Sequence, residues 1–98
     1  MNVVDQNTHK VTLSVWQVED VICALNNRSW GRGVTNERRH NCWKAVDWLR
    51  RLIKDKCRIE NVEIEHRRDV LEGIATAVIG DGLESVGKSI LRQISDGD

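Results

Sequence analysis

A chain of 98 residues, 40% hydrophobic and 31% charged, can bury one modest core but not two, and its composition is globular rather than disordered. No apolar run approaches the ~18 residues of a membrane span, and the opening "MNVVDQNTHK" lacks the basic and apolar regions of a secretory leader. The formal net charge is zero, yet residues 21–58 carry ten Lys/Arg against three acids while residues 59–98 carry four against nine, so neutrality hides a basic block and an acidic one.

Proline, Phe and Tyr are absent, leaving four Trp as the only aromatics. A chain without proline and with long charged-apolar periodicities reads as helical. The expectation is an all-α fold, a single domain over 1–98 with residues 1–12 as a flexible N-terminal arm and a small bundle of four helices behind it. The first helix, 14–27, has a clear start. Ser14 caps it, Gln17 is the reciprocal partner of a capping box, and Leu13 and Val18 occupy the two positions of a hydrophobic staple. Val15, Val18, Ile22 and Leu25 then line one face, and Asn26 and Asn27 tolerate a left-handed end.

The loop "RSWGRGV", with Gly31 and Gly33 around Arg32, is not helical. Thr35 caps the second helix, read over 36–58, and Glu37 sits in its first turn. Its apolar residues, from Cys42 through Val46, Leu49 and Ile53 to Cys57, fall within an arc of ~140°. "IENVEIE" (59–65) reads as a link plus the first turn of a third helix, 64–79, with Val70, Leu71, Ile74, Ala75 and Val78 inside. Gly73, costing ~1 kcal/mol relative to alanine in a helix, implies close helix packing there. No internal repeat is visible.

The fourth helix, 82–95, contains a distracting string. "GLESVGKS", Gly82–Ser89, satisfies the G-x-x-x-x-G-K-S/T pattern of a phosphate-binding loop. Such a loop works because non-helical glycines let amide hydrogens converge on phosphates after a buried parallel strand. Here Asp81 and Glu84 form a capping box, and Leu83, Val86, Ile90, Leu91 and Ile94 carry a helical stripe through the string. The nine residues after Ser89 leave no room for a magnesium-binding strand. Nucleotide hydrolysis is set aside. The region also has the outline of a helix-turn-helix, but Glu84 follows its turn glycines and only Lys88 and Arg92 would face a groove.

His40, Cys42, Cys57 and His66 are zinc-type side chains, but their spacing matches no paired knuckle. Cys42 and Cys57, on the inner stripe, read as small hydrophobes. Together with Cys23 they show no disulfide framework, which points to a reduced, cytoplasmic protein. No catalytic residue, metal ligand or cofactor is assigned.

The basic block remains. His40, Lys44, Arg50, Arg51, Lys54 and Arg58 fill the face of the second helix opposite its apolar arc, with Trp43 among them and Trp30 between Arg28 and Arg32. Arginine interleaved with tryptophan is the chemistry of base stacking with phosphate neutralisation. It is also the chemistry of protein–protein hot spots, and a charged outer face is what any solvated helix shows. The expectation is a small non-enzymatic regulatory binding protein. Arg28, Arg32, Arg39, Lys44, Arg50, Arg51 and Lys54 would meet phosphates, and Trp30 and Trp43 would stack, on nucleic acid or a nucleotide-like ligand. The alternative is a protein-interaction module, inhibitor or adaptor, docking on an acidic protein surface. Trp16 and Trp48 fall to the core or a subunit interface, and the complementary charged halves point to a homo-oligomer, first a homodimer.

Overall fold

Two stretches of the chain alternate polar and apolar residues with period two. In the computed structural model, which describes residues 8–96, both are strands. In β1 (Thr8–Ser14) Val11 and Leu13 are buried between exposed Lys10 and Thr12; in β2 (Asn61–Arg67) Val62 and Ile64 are buried between exposed Asn61, Glu63 and Glu65. They pair antiparallel, with Val11 opposite Ile64, Leu13 opposite Val62 and half-buried His9 opposite half-buried His66. One face of the ribbon is core and the other is wet, as period-two alternation dictates.

Among the described residues the fold is therefore α+β, four helices with a two-stranded antiparallel sheet, and not an all-α helical bundle. The expected N-terminal arm contributes β1 from Thr8 onward, while residues 1–7 of that arm lie outside the described residues. The expected link and helical turn at 59–65 is largely β2. Glu63 and Glu65 are acceptable in a helix, and the pattern turns to strand because β1 offers it a ladder partner.

The element order is β1, α1 (Val15–Ser29), α2 (Asn36–Ile53), β2, α3 (Arg68–Gly80) and α4 (Glu84–Asp96), a strand–helix–helix unit used twice. The shift that carries Thr8 onto Asn61 also carries Val18, Val21, Ile22, Ala24 and Leu25 onto Leu71, Ile74, Ala75, Ala77 and Val78, all of them buried. Only Glu19/Glu72, Ala24/Ala77 and Arg39/Arg92 are identical under this shift, so the repeat lives in burial rather than in letters. α1 packs on α3, α2 on α1, and α4 on both α3 and β1.

The helix starts follow their caps. The Gln17 carboxamide oxygen accepts from the Ser14 N–H at 3.0 Å and from its hydroxyl at 3.1 Å, with staple residues Leu13 and Val18 buried beneath. The N–H groups of Val15 and Trp16 donate to the carbonyls of Glu60 and Arg58, so the loop before β2 satisfies the open end of α1. Thr35 Oγ1 accepts from the Arg38 N–H at 3.2 Å.

α2 stops at Ile53 rather than at 58, because the chain must turn back to lay β2 beside β1. Cys57 is consequently exposed in the loop rather than on an inner stripe.

The phosphate-loop look-alike resolves into two packing devices. Gly82, at φ 91°, ends α3 in a left-handed turn: its N–H donates to the Ile79 carbonyl and that of Leu83 to the Val78 carbonyl, each at 3.0 Å. Asp81 is thus the C-cap of α3 rather than an N-cap, and α4 begins at Glu84 rather than at 82. Gly87 is buried at the α3–α4 crossing, where a Cβ would overlap Ile79 and lie 2.9 Å from the Ala75 carbonyl oxygen. Gly73, read as the close-packing glycine, faces open space instead.

The two glycines should respond oppositely to alanine. In urea unfolding, Gly73→Ala is expected to raise stability by about 0.5–1 kcal/mol through helix propensity. Gly87→Ala is expected to lower it by about 1–3 kcal/mol through overpacking.

Candidate anionic-ligand interface

The corner between α1 and α2 is organised by Ser29, the one fully buried polar side chain among the described residues. Its hydroxyl donates to the Asn26 carbonyl at 2.7 Å and accepts from Trp43 Nε1 at 3.2 Å. Its own carbonyl accepts from Arg39 Nε at 2.8 Å. A residue on the last turn of α1 thereby fixes two side chains projecting from the first half of α2, and among the described residues no buried side-chain polar atom is left without a partner.

Trp30, just past the end of α1, completes the group. Its ring centroid lies 5.9 Å from that of Trp43 at an interplanar angle of 56°, and the Arg39 guanidinium sits 5.5 Å from the Trp30 centroid. That is a cation–π distance. The indole of Trp30 nevertheless stays 71% exposed and Trp43 42% exposed. Beside them is a polar hollow lined by Arg28, Arg32, Arg38 and Asp81, with Gly33 at φ 77° turning the loop that walls it. Arg28 lies against the end of α3, its Nη1 2.9 Å from where a Cβ of Gly80 would stand.

Of the residues expected to bind an anion, Trp30, Arg39 and Trp43 form one cluster, and Arg28 and Arg32 line the hollow formed by the adjoining loop. Lys44 lines a separate cleft between α2 and α3. Arg50 lines the groove against α1 beside Glu19 and Asp20, where its charge is opposed. Arg51, farther along α2, and Lys54, just past its end, are exposed and outside the hollow, and Arg58 pairs with Glu19 at 3.4 Å. Arg38 is the residue that the helical wheel missed. It falls near the apolar arc, but it stands in the first turn, before α2 reaches the core.

Trp48 is half-buried against the core with its ring edge-on to His66 at 5.0 Å, whereas Trp16 remains 45% exposed. His40, Cys42, Cys57 and His66 do not converge: among the described residues no three metal-ligating side chains gather. No helix of the described residues is long and apolar enough to cross a membrane. No family model, no curated protein and no solved structure matches the chain. The surface itself is the ground for a functional reading.

Ser29→Ala removes the anchor of Trp43. It is expected to cost about 1–2 kcal/mol and to shift tryptophan emission to longer wavelength as the indole swings into water. Unchanged emission and stability would show that the knot holds nothing.

Proposed function

We propose that the chain is a non-enzymatic regulatory binding protein that grips nucleic acid, or a nucleotide-like ligand, at the α1–α2 corner. The observation that carries this reading is the exposed Trp30 ring held against Arg39 and Trp43, next in the chain to the loop whose hollow is lined by Arg28, Arg32 and Arg38 with Asp81. A base stacked on such a ring gains about 1–3 kcal/mol without regard to its sequence. Guanidinium groups beside it neutralise the flanking phosphates and release counterions.

Preorganisation supports the same reading. The Ser29 hydrogen bonds hold Arg39 and Trp43 before any ligand arrives, which reduces the ordering entropy that binding must overcome. Lys44, Arg51 and Lys54 extend positive potential along α2, while Arg50 is offset by Glu19 and Asp20. A reducing, cytoplasmic setting suits the exposed free thiols of Cys23 and Cys57.

The test is titration with short single- and double-stranded DNA and RNA, following tryptophan fluorescence at about 50 and about 200 mM salt. Saturable quenching that weakens with salt is expected. Trp30→Ala should weaken binding about tenfold, and Arg38→Ala with Arg39→Ala should flatten the salt slope by about 1.5–2. Arg50→Ala should do little. A flat titration, or Trp30→Ala binding like the parent, rejects the proposal and turns attention to an acidic protein surface as the partner.

A further inference from the structure

A two-stranded sheet has two outer edges, and this one treats them differently. In an antiparallel ladder, alternate residues aim their N–H and C=O groups at the partner strand and away from it. Thr12 of β1 aims outward, and a side chain of α4 takes both of its groups. Gln93 Oε1 accepts from the Thr12 N–H at 2.7 Å, and Gln93 Nε2 donates to the Thr12 carbonyl at 2.9 Å. The carboxamide stands where a third strand would, and Ser89 Oγ accepts from the same Nε2 at 3.2 Å.

On β2 the residue opposite Thr12 is Glu63, so by alternation the backbone groups of Glu63 and Glu65 aim at the other edge. No hydrogen bond to those backbone groups is made across that edge among the described residues. α2 touches β2 through the Trp48 ring on His66 and does not pack along the strand as α4 packs on β1. A cleft of about 560 Å³ between α2 and α3 adjoins the His66–Arg67 end of β2; Lys44, Ala45, Trp48, Val70 and Ile74 line it, and Gly73 puts no side chain into it.

We propose that this edge and cleft receive an extended segment of a partner protein as a third strand beside β2. The open backbone groups specify an extended main chain, which is the chemistry of strand addition. The cleft adjoins His66 of the inner face, so the inner-face side chains of the segment at that end would be apolar and pack on Trp48. The intervening side chains lie on the outer face beside Glu63 and Glu65, which calls for basic residues there. Glu63 faces only Thr12 across the ladder, while Glu65 already faces Lys10, so Glu63 makes the stronger demand.

A second copy of the chain is a poor occupant. Pairing β2 antiparallel with itself about Ile64, the register that matches all seven of its residues, would set Glu63 against Glu65, and like charges directly opposite destabilise a ladder. The site is separate from the α1–α2 corner and does not depend on the function proposed for it.

The experiment uses the full chain and a fluorescein-labelled heptapeptide, KVKVKVK, followed by anisotropy, with EVEVEVE as the comparison. Saturable binding of KVKVKVK over EVEVEVE is expected. Glu65→Pro removes one outward N–H and leaves the inner ladder intact; with the fold checked by circular dichroism, it should weaken binding about tenfold. Gly73→Leu fills the cleft from a position with open space and should weaken binding without touching the edge. Glu63→Lys with Glu65→Lys should reverse the preference toward EVEVEVE, and Trp30→Ala should leave peptide binding unchanged. The proposal is overturned if KVKVKVK does not saturate, or if folded Glu65→Pro and Gly73→Leu bind it as the parent does. Concentration-dependent self-association abolished by Glu65→Pro would overturn it too, since a second copy would then own the edge.

Discussion

The pairing of β1 with β2 is the constraint from which the rest of the molecule follows. Neither strand has a linker to the helix after it: Ser14 is followed at once by Val15 of α1, and Arg67 by Arg68 of α3. Antiparallel pairing therefore launches the two helices from opposite ends of one ribbon, and Val11, Leu13, Val62 and Ile64 form the seam on which both lie. α1 and α3 then pack against each other, and the end of α1 meets the end of α3 where Arg28 lies against Gly80. The basic corner owes its position to that meeting.

The helices were legible in the sequence and the sheet was not. Ser14 with Gln17, and Thr35 before α2, act through neighbours three residues away, so their chemistry is written locally and appears in the structure. The apolar stripes of α1, α3 and α4 are equally local. The strands are a different case. "THKVTLS" and "NVEIEHR" do alternate, but over seven residues with lysine and glutamate among them, a pattern that a helix end also tolerates. What decides between the two is a partner far away in the chain. The same limit explains the glycines: an exposed position such as Gly73 and a crossing such as Gly87 look alike until the neighbouring helix is placed.

The candidate site was legible in composition and not in arrangement. Trp30, Trp43 and the arginines around them stand close in sequence and come together in space. A helical wheel cannot say which flank of α2 meets α1 and which faces α3, so it grouped Arg50 and Lys44 with residues from which the fold separates them. Ser29 gave no signal at all. In the polar run "NNRS" it is one more loop-like letter, yet its hydroxyl and carbonyl hold the corner together.

The long reach of the ribbon also implies an order of assembly. Each helical pair, α1 with α2 and α3 with α4, forms from residues near in sequence and can collapse quickly. The strand ladder joins Ser14 to Asn61 at its nearest rung and Thr8 to Arg67 at its farthest, so it must close a large loop before it gains anything. During synthesis the first half emerges with β1 unmatched on both sides until β2 has left the ribosome, and Gln93, which blocks the outer side of β1, arrives later still. The nascent chain is thus most vulnerable to association with its neighbours before α4 is made. Chaperone dependence in this molecule would trace to that interval, not to weakness of the finished core.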